Sequence, residues 1–94
     1  MRKLAWDASF RRAFKRRTRN DVALQDRIFQ TLDRLAEDPF HSVPKTHELS
    51  GQLKGLWACW VEYDCRIVFA LEPDPAGDEE AVVLADIGSH DEVY

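Results

Sequence analysis

Three histidines (His41, His47 and His90), a hairpin aspartate (Asp64) and a strand arginine (Arg66) are the side chains of this 94-residue chain best suited to acid–base chemistry. Histidine takes up and returns a proton near neutral pH, so a pair of them can serve as base and acid. An aspartate can orient a histidine or act as a base itself. Arginine offers a fixed fork of donors to a phosphate. Lys54 is a second cation, and Trp60 and Tyr94 carry rings on which an unstacked base could lie. Each residue also has a plainer reading. A surface histidine usually has no task, and His47 follows Pro44 in what could simply be a loop. Asp64 is a turn former. Arg66 can pair with Glu62, and Trp60 can be a packing residue on a sheet. No cluster has the spacing of metal ligands, and no cofactor is implied. Cys59 and Cys65 are too few for a zinc site or a disulfide framework and are expected to be free thiols.

These residues need elements to hold them. Lys3–Trp6 can form a short strand, with Asp7 as N-cap of the helix that follows. Phe10, Ala13 and Phe14 share one face of that helix. Asn20 or Asp21 punctuates the chain before a second helix, which runs to about Asp38 and stops at Pro39. Its apolar stripe is Leu24, Ile28, Leu32 and Leu35. Residues 55–62 and 65–71 read as two strands of a hairpin and residues 81–87 as a third, after an acidic Pro/Gly loop at 72–80. The order is β-α-α-β-β-β, an α+β fold in one domain, 1–94, with two antiparallel helices on one face of a small, mostly antiparallel sheet.

The hairpin alternates. Odd positions (Trp57, Cys59, Val61, Cys65, Ile67, Phe69, Leu71) are all apolar, and even positions are mixed. A three-residue turn, Glu62-Tyr63-Asp64, keeps the odd positions together on both strands. The odd face is therefore expected under the helices, with Trp60 and Arg66 on the opposite face and Asp64 at the turn.

The net charge of −4 conceals a polarity. Residues 1–20 hold eight Lys/Arg against Asp7 alone, a local charge of +7, while the remaining 74 carry −11. Arg11, Arg12, Lys15, Arg16 and Arg19 occupy the wet side of the first helix. Such a block suits a polyanion or an acidic partner peptide, or merely a solvated face. No run approaches the ~20 apolar residues of a membrane span, and the N-terminus lacks a signal-peptide core. The expected compartment is the cytoplasm.

Three segments far apart in sequence carry a resemblance. They are His47-Glu-Leu-Ser-Gly-Gln-Leu-Lys-Gly-Leu-Trp57, the hairpin Val61-Glu-Tyr-Asp64-Cys-Arg66-Ile-Val-Phe69, and the tail Asp86-Ile-Gly-Ser-His90-Asp-Glu-Val-Tyr94. Together they resemble the RelE/ParE toxins, most closely the YafQ branch. The resemblance implies the RelE-like fold. It also implies a ribosome-dependent mRNA endoribonuclease held in check by an antitoxin, with ribosome and mRNA as further partners. The implied site holds His47, Asp64, His90 and Tyr94. Trp60 stands where the YafQ branch has a histidine, and Arg66 falls where a YoeB-like branch carries an arginine.

Such an enzyme needs no metal, because RNA can be cut by its own 2′-OH. It needs a base for that hydroxyl, an acid for the leaving 5′ oxygen and cations for the charge on the phosphate. His47 and His90 suit the proton roles, Arg66 and Lys54 the phosphate, Trp60 and Tyr94 the bases. His41 matches nothing in the family pattern. The helix cations are expected to meet the ribosome or the partner, on the side of the sheet away from the hairpin site. Two other functions share the fold: a ParE-like toxin that acts on DNA gyrase and cuts nothing, and an inactive antitoxin-binding module.

Overall fold

The computed structural model describes residues 1–89 and 91, and His90 and Tyr94 lie outside the described residues. The elements are β1 (Leu4–Trp6), α1 (Ala8–Thr18), α2 (Val22–Glu37), β2 (His47–Glu48), a 3-10 turn at Gly51–Leu53, β3 (Trp57–Glu62), β4 (Cys65–Glu72) and β5 (Ala81–Gly88). The sheet order is β1-β5-β4-β3-β2. β1 pairs in parallel with β5, and every other pair is antiparallel. No helix among the described residues is long and apolar enough to cross a membrane.

Both helices start where their caps dictate. The Asp7 carboxylate accepts from Ala8 N and the Asp21 carboxylate from Leu24 N, at 3.1 and 3.0 Å. Each satisfies an amide that has no partner inside its own helix. Asn20 takes φ 61°, a left-handed conformation that asparagine tolerates, and this reverses the chain between the helices. Phe10 and Ala13 of α1 and Leu24, Ile28, Leu32 and Leu35 of α2 bury against Cys59, Cys65, Ile67, Phe69, Val82, Leu84 and Ile87. The apolar odd face of the hairpin thus lies under the helices, as alternation predicts.

Three details differ from the sequence reading. The hairpin turn is Tyr63-Asp64 alone, with Glu62 still paired to Cys65. A register shift between Trp60 and Glu62 supplies the odd residue that keeps the two faces in phase. Second, β2 is an additional strand, two residues long and so too short to show alternation. It forms at the sheet edge because Trp60 N donates to Pro44 O and Leu49 N to Leu56 O, at 3.1 and 2.8 Å. Third, the face away from the helices has a small core of its own, in which Leu49, Ala58 and Val68 pack with Leu56 and Ala85.

Candidate functional site

The pairing registers place His47, Trp60 and Arg66 in two cross-strand rows on the face away from the helices. One row runs His47, Ala58, Val68, Asp86, and the next runs Trp60, Arg66, Gly88. At the usual strand spacing of about 4.8 Å, the ends of the first row lie roughly 14 Å apart. The middle of that row, Ala58 and Val68, is buried under Leu49 and Leu56.

His47 is oriented by backbone. Its Nδ1 lies 2.8 Å from the Lys45 carbonyl, which can only accept, so the ring must carry its proton on Nδ1. In the neutral ring Nε2 is then the basic nitrogen. Lys45 makes this bond from a left-handed backbone, φ 56°. Its ammonium also lies 4.0 Å from the centroid of the Trp60 ring. Sequence reasoning missed Lys45, because neither a left-handed lysine nor the path of the 39–46 loop leaves a sequence signal.

Trp60 and Arg66 are directly paired across the strands, and the guanidinium carbon also stands 4.0 Å from the Trp60 centroid. Arg66 is 0% exposed. Its Nη1 donates to the carbonyls of Glu62 (2.7 Å) and Tyr63, so the guanidinium fastens the hairpin turn. The alternative pairing of Arg66 with the Glu62 carboxylate does not occur; that carboxylate meets Arg27 at 2.7 Å instead. Burial also means that Arg66 does not present an open fork to solvent, as the sequence reading expected. Asp64 is exposed at the turn, and its carbonyl accepts from Arg17 Nη2 at 2.7 Å. Lys54 is exposed at the end of the 3-10 turn.

The helix cations divide into separate environments. Arg11 and Lys15 rim an apolar groove of about 500 Å³ over Trp6 and Phe14. Phe29 is 43% exposed beside them, its ring 5.4 Å from that of Phe14. Arg12 and Arg19 are exposed. Arg16 instead lines a groove of about 240 Å³ with Leu53, Leu56, Val68, Ala85, Asp86, Ile87 and Gly88, at the edge of the small core away from the helices. The expectation that all five cations stay away from the site's face is therefore wrong for Arg16. α1 runs along β5: near the start of the helix Ser9 Oγ donates to Ala85 O (2.6 Å), and near its end Arg17 reaches the hairpin turn.

His41 and the two cysteines are placed away from these rows or in the core. His41 pairs with Asp38 at 2.9 Å on the surface, and the Asp38 carboxyl is held below its usual range, chiefly by the Phe40 amide and then by His41. Burial pushes the Cys59 thiol up to about 12 and the Cys65 thiol up to about 11. Both are inert core residues at neutral pH. Among the described residues no group of three or more His, Cys, Asp or Glu could hold a metal ion.

One family profile, that of the bacterial toxin of type II toxin–antitoxin systems, YafQ, matches residues 2–94. The chain belongs to the YafQ toxin family. Solved structures agree in fold. YafQ from E. coli strain BL21(DE3) is 18% identical, with 100% of this chain and 99% of that one covered and a TM-score of 0.74. A YoeB/ParE toxin from Agrobacterium tumefaciens is 22% identical over 94% and 98% of the two chains, with a TM-score of 0.77. The YoeB–YefM complex from Staphylococcus aureus includes a chain 14% identical over 96% and 98%, with a TM-score of 0.72. No curated sequence matches. This YafQ-family toxin thus shares its two-helix, open-sheet architecture with YoeB-type toxins.

Proposed function

We propose that this YafQ-family toxin is a cytoplasmic, ribosome-dependent mRNA endoribonuclease that works without a metal and is neutralised by a cognate antitoxin. The observation that carries the reading is His47. A backbone carbonyl fixes its Nδ1 proton, so the buried Nε2 is the ring's basic nitrogen, in the cross-strand row next to that of Trp60 and Arg66.

In the reaction a base removes the 2′-OH proton, and the 2′ oxygen bonds to phosphorus. The P–O5′ bond breaks and the 5′ oxygen takes a proton from an acid. The products are a 2′,3′-cyclic phosphate and a 5′-hydroxyl, with one proton accepted and one returned. His47 and His90 share these proton roles, with Asp64 as orienting or auxiliary carboxylate. Lys54 serves the phosphate, and Tyr94 stacks on a base. Arg66 acts as a buried positioning cation that holds the turn and the Trp60 ring.

For the antitoxin, the Trp6–Phe14–Phe29 groove with Arg11 and Lys15 at its rim suits an acidic amphipathic segment. The YoeB–YefM complex is a precedent in a protein of the same fold. Pulse-labelling of bacterial cells after induction tests the reading. Protein synthesis should stop first while DNA replication continues, and the reverse order would point to a gyrase toxin.

A further inference from the structure

The groove between the end of α1 and the β4–β5 ladder contains a cation, a carboxylate and an apolar floor that the proposed cleavage chemistry does not use. We propose that it is a nucleotide subsite, in which Arg16 meets a phosphate and Asp86 accepts from the amino-bearing edge of a base. The inference rests on the ribonuclease reading for its biological setting, but not for the binding it asserts.

Three observations carry it. First, Arg16 is directed there by the helix. Ser9, seven residues and two turns earlier on the same stripe of α1, donates to the Ala85 carbonyl of β5, and that stripe therefore runs along the β5 backbone towards Gly88. Among the described residues Arg16 has no hydrogen bond or ion pair, whereas its neighbour Arg17 is bonded to Asp64 O. Second, β5 shifts register at Ala85, between the Phe69–Leu84 and Val68–Asp86 pairs, which brings Asp86 into the groove. Its Oδ1 accepts from Ile87 N at 2.8 Å, which fixes the carboxylate. Third, Leu53, Leu56, Val68 and Ala85 supply apolar surface for a base face, in about 240 Å³ of space. The charges match the occupant: a cation for the phosphate and an acceptor for base N–H groups.

Asp86 gives the subsite a preference. Adenine, cytosine and guanine each present an exocyclic amino group that a carboxylate can accept from. Uracil presents one N–H flanked by two carbonyls, which the carboxylate repels. Uridine is the disfavoured occupant.

The test is a titration of the full chain, ¹⁵N-labelled, with AMP, CMP, GMP and UMP in turn. The first three should shift the Val68, Asp86 and Gly88 amides, with UMP weaker by about tenfold. Asp86→Asn keeps the acceptor for Ile87 N but adds a donor, and should erase the discrimination by strengthening UMP. Arg16→Gln should weaken all four alike, with recovery in Arg16→Lys. Equal affinity for the four nucleotides, or shifts confined to the helices, would overturn the proposal. The ribonuclease reading fails separately. If base discrimination is present in the titration but no mRNA is cut during translation, the subsite stands and the ribonuclease does not.

Discussion

His47 and Arg66 show how differently two polar residues can serve one face. The His47 proton is located by one backbone carbonyl, so His47→Ala should leave the fold intact and lower single-turnover cleavage by about 10²–10⁴-fold, the usual worth of general acid–base catalysis. A folded variant that cleaves at the wild-type rate would remove His47 from the chemistry. Arg66 is buried and bonded to the carbonyls of Glu62 and Tyr63. Arg66→Met should therefore cost about 2–3 kcal/mol of stability in a denaturant titration, since bonds to a charged donor are the stronger ones. The buried thiols give a pH signature. Their folded pKa values lie above the ordinary 9.0, so their contribution is complete below pH 9 and is lost as the pH rises towards 12. Denaturation midpoints should fall across that alkaline window, less so in Cys59→Ala, and iodoacetamide should not label the native protein at pH 8. Rapid labelling there would mean that the cysteines are not in a packed core.

Helices, hairpin and faces were legible in the sequence because each has a period: Leu24, Ile28, Leu32 and Leu35 at 3.6, and Cys59, Ile67 and Phe69 at 2. What escaped has no period. The two-residue β2 carries no alternation, and the bulges that set the Tyr63-Asp64 turn and aim Asp86 each depend on one extra residue. The left-handed Lys45 is fixed by the loop around it and not by its own propensity. The crossing of α1 over β5 is also a tertiary fact, and it separates Arg16 from its neighbours. Arg12, Lys15 and Arg19 should therefore be replaceable by glutamine together without loss of mononucleotide binding at the sheet. The same triple variant should bind ribosomes more weakly and with a flatter salt dependence, because each lost phosphate contact releases fewer counterions. Unchanged affinity and slope would reduce those residues to a solvated helix face.

On the scale of the molecule, the two faces differ in character. The helix side exposes an aromatic groove rimmed by cations, suited to a partner peptide, and the sheet side carries His47, Trp60, Arg66, Arg16 and Asp86. Family membership was legible in three short segments, His47–Trp57, Val61–Phe69 and Asp86–Tyr94, whose residue types and spacing carry the resemblance. The burial of Arg66 was not, since an arginine in a strand looks the same in sequence whether it faces solvent or lies against a tryptophan. The most direct test of the central claim is primer extension and end-group analysis of an mRNA translated in a cell-free system with the purified protein. The account predicts cuts inside ribosome-occupied codons, only while translation proceeds, with 2′,3′-cyclic or 3′-phosphate ends. Intact mRNA in the presence of active, folded protein, or cuts that leave 3′-hydroxyl ends, would contradict it.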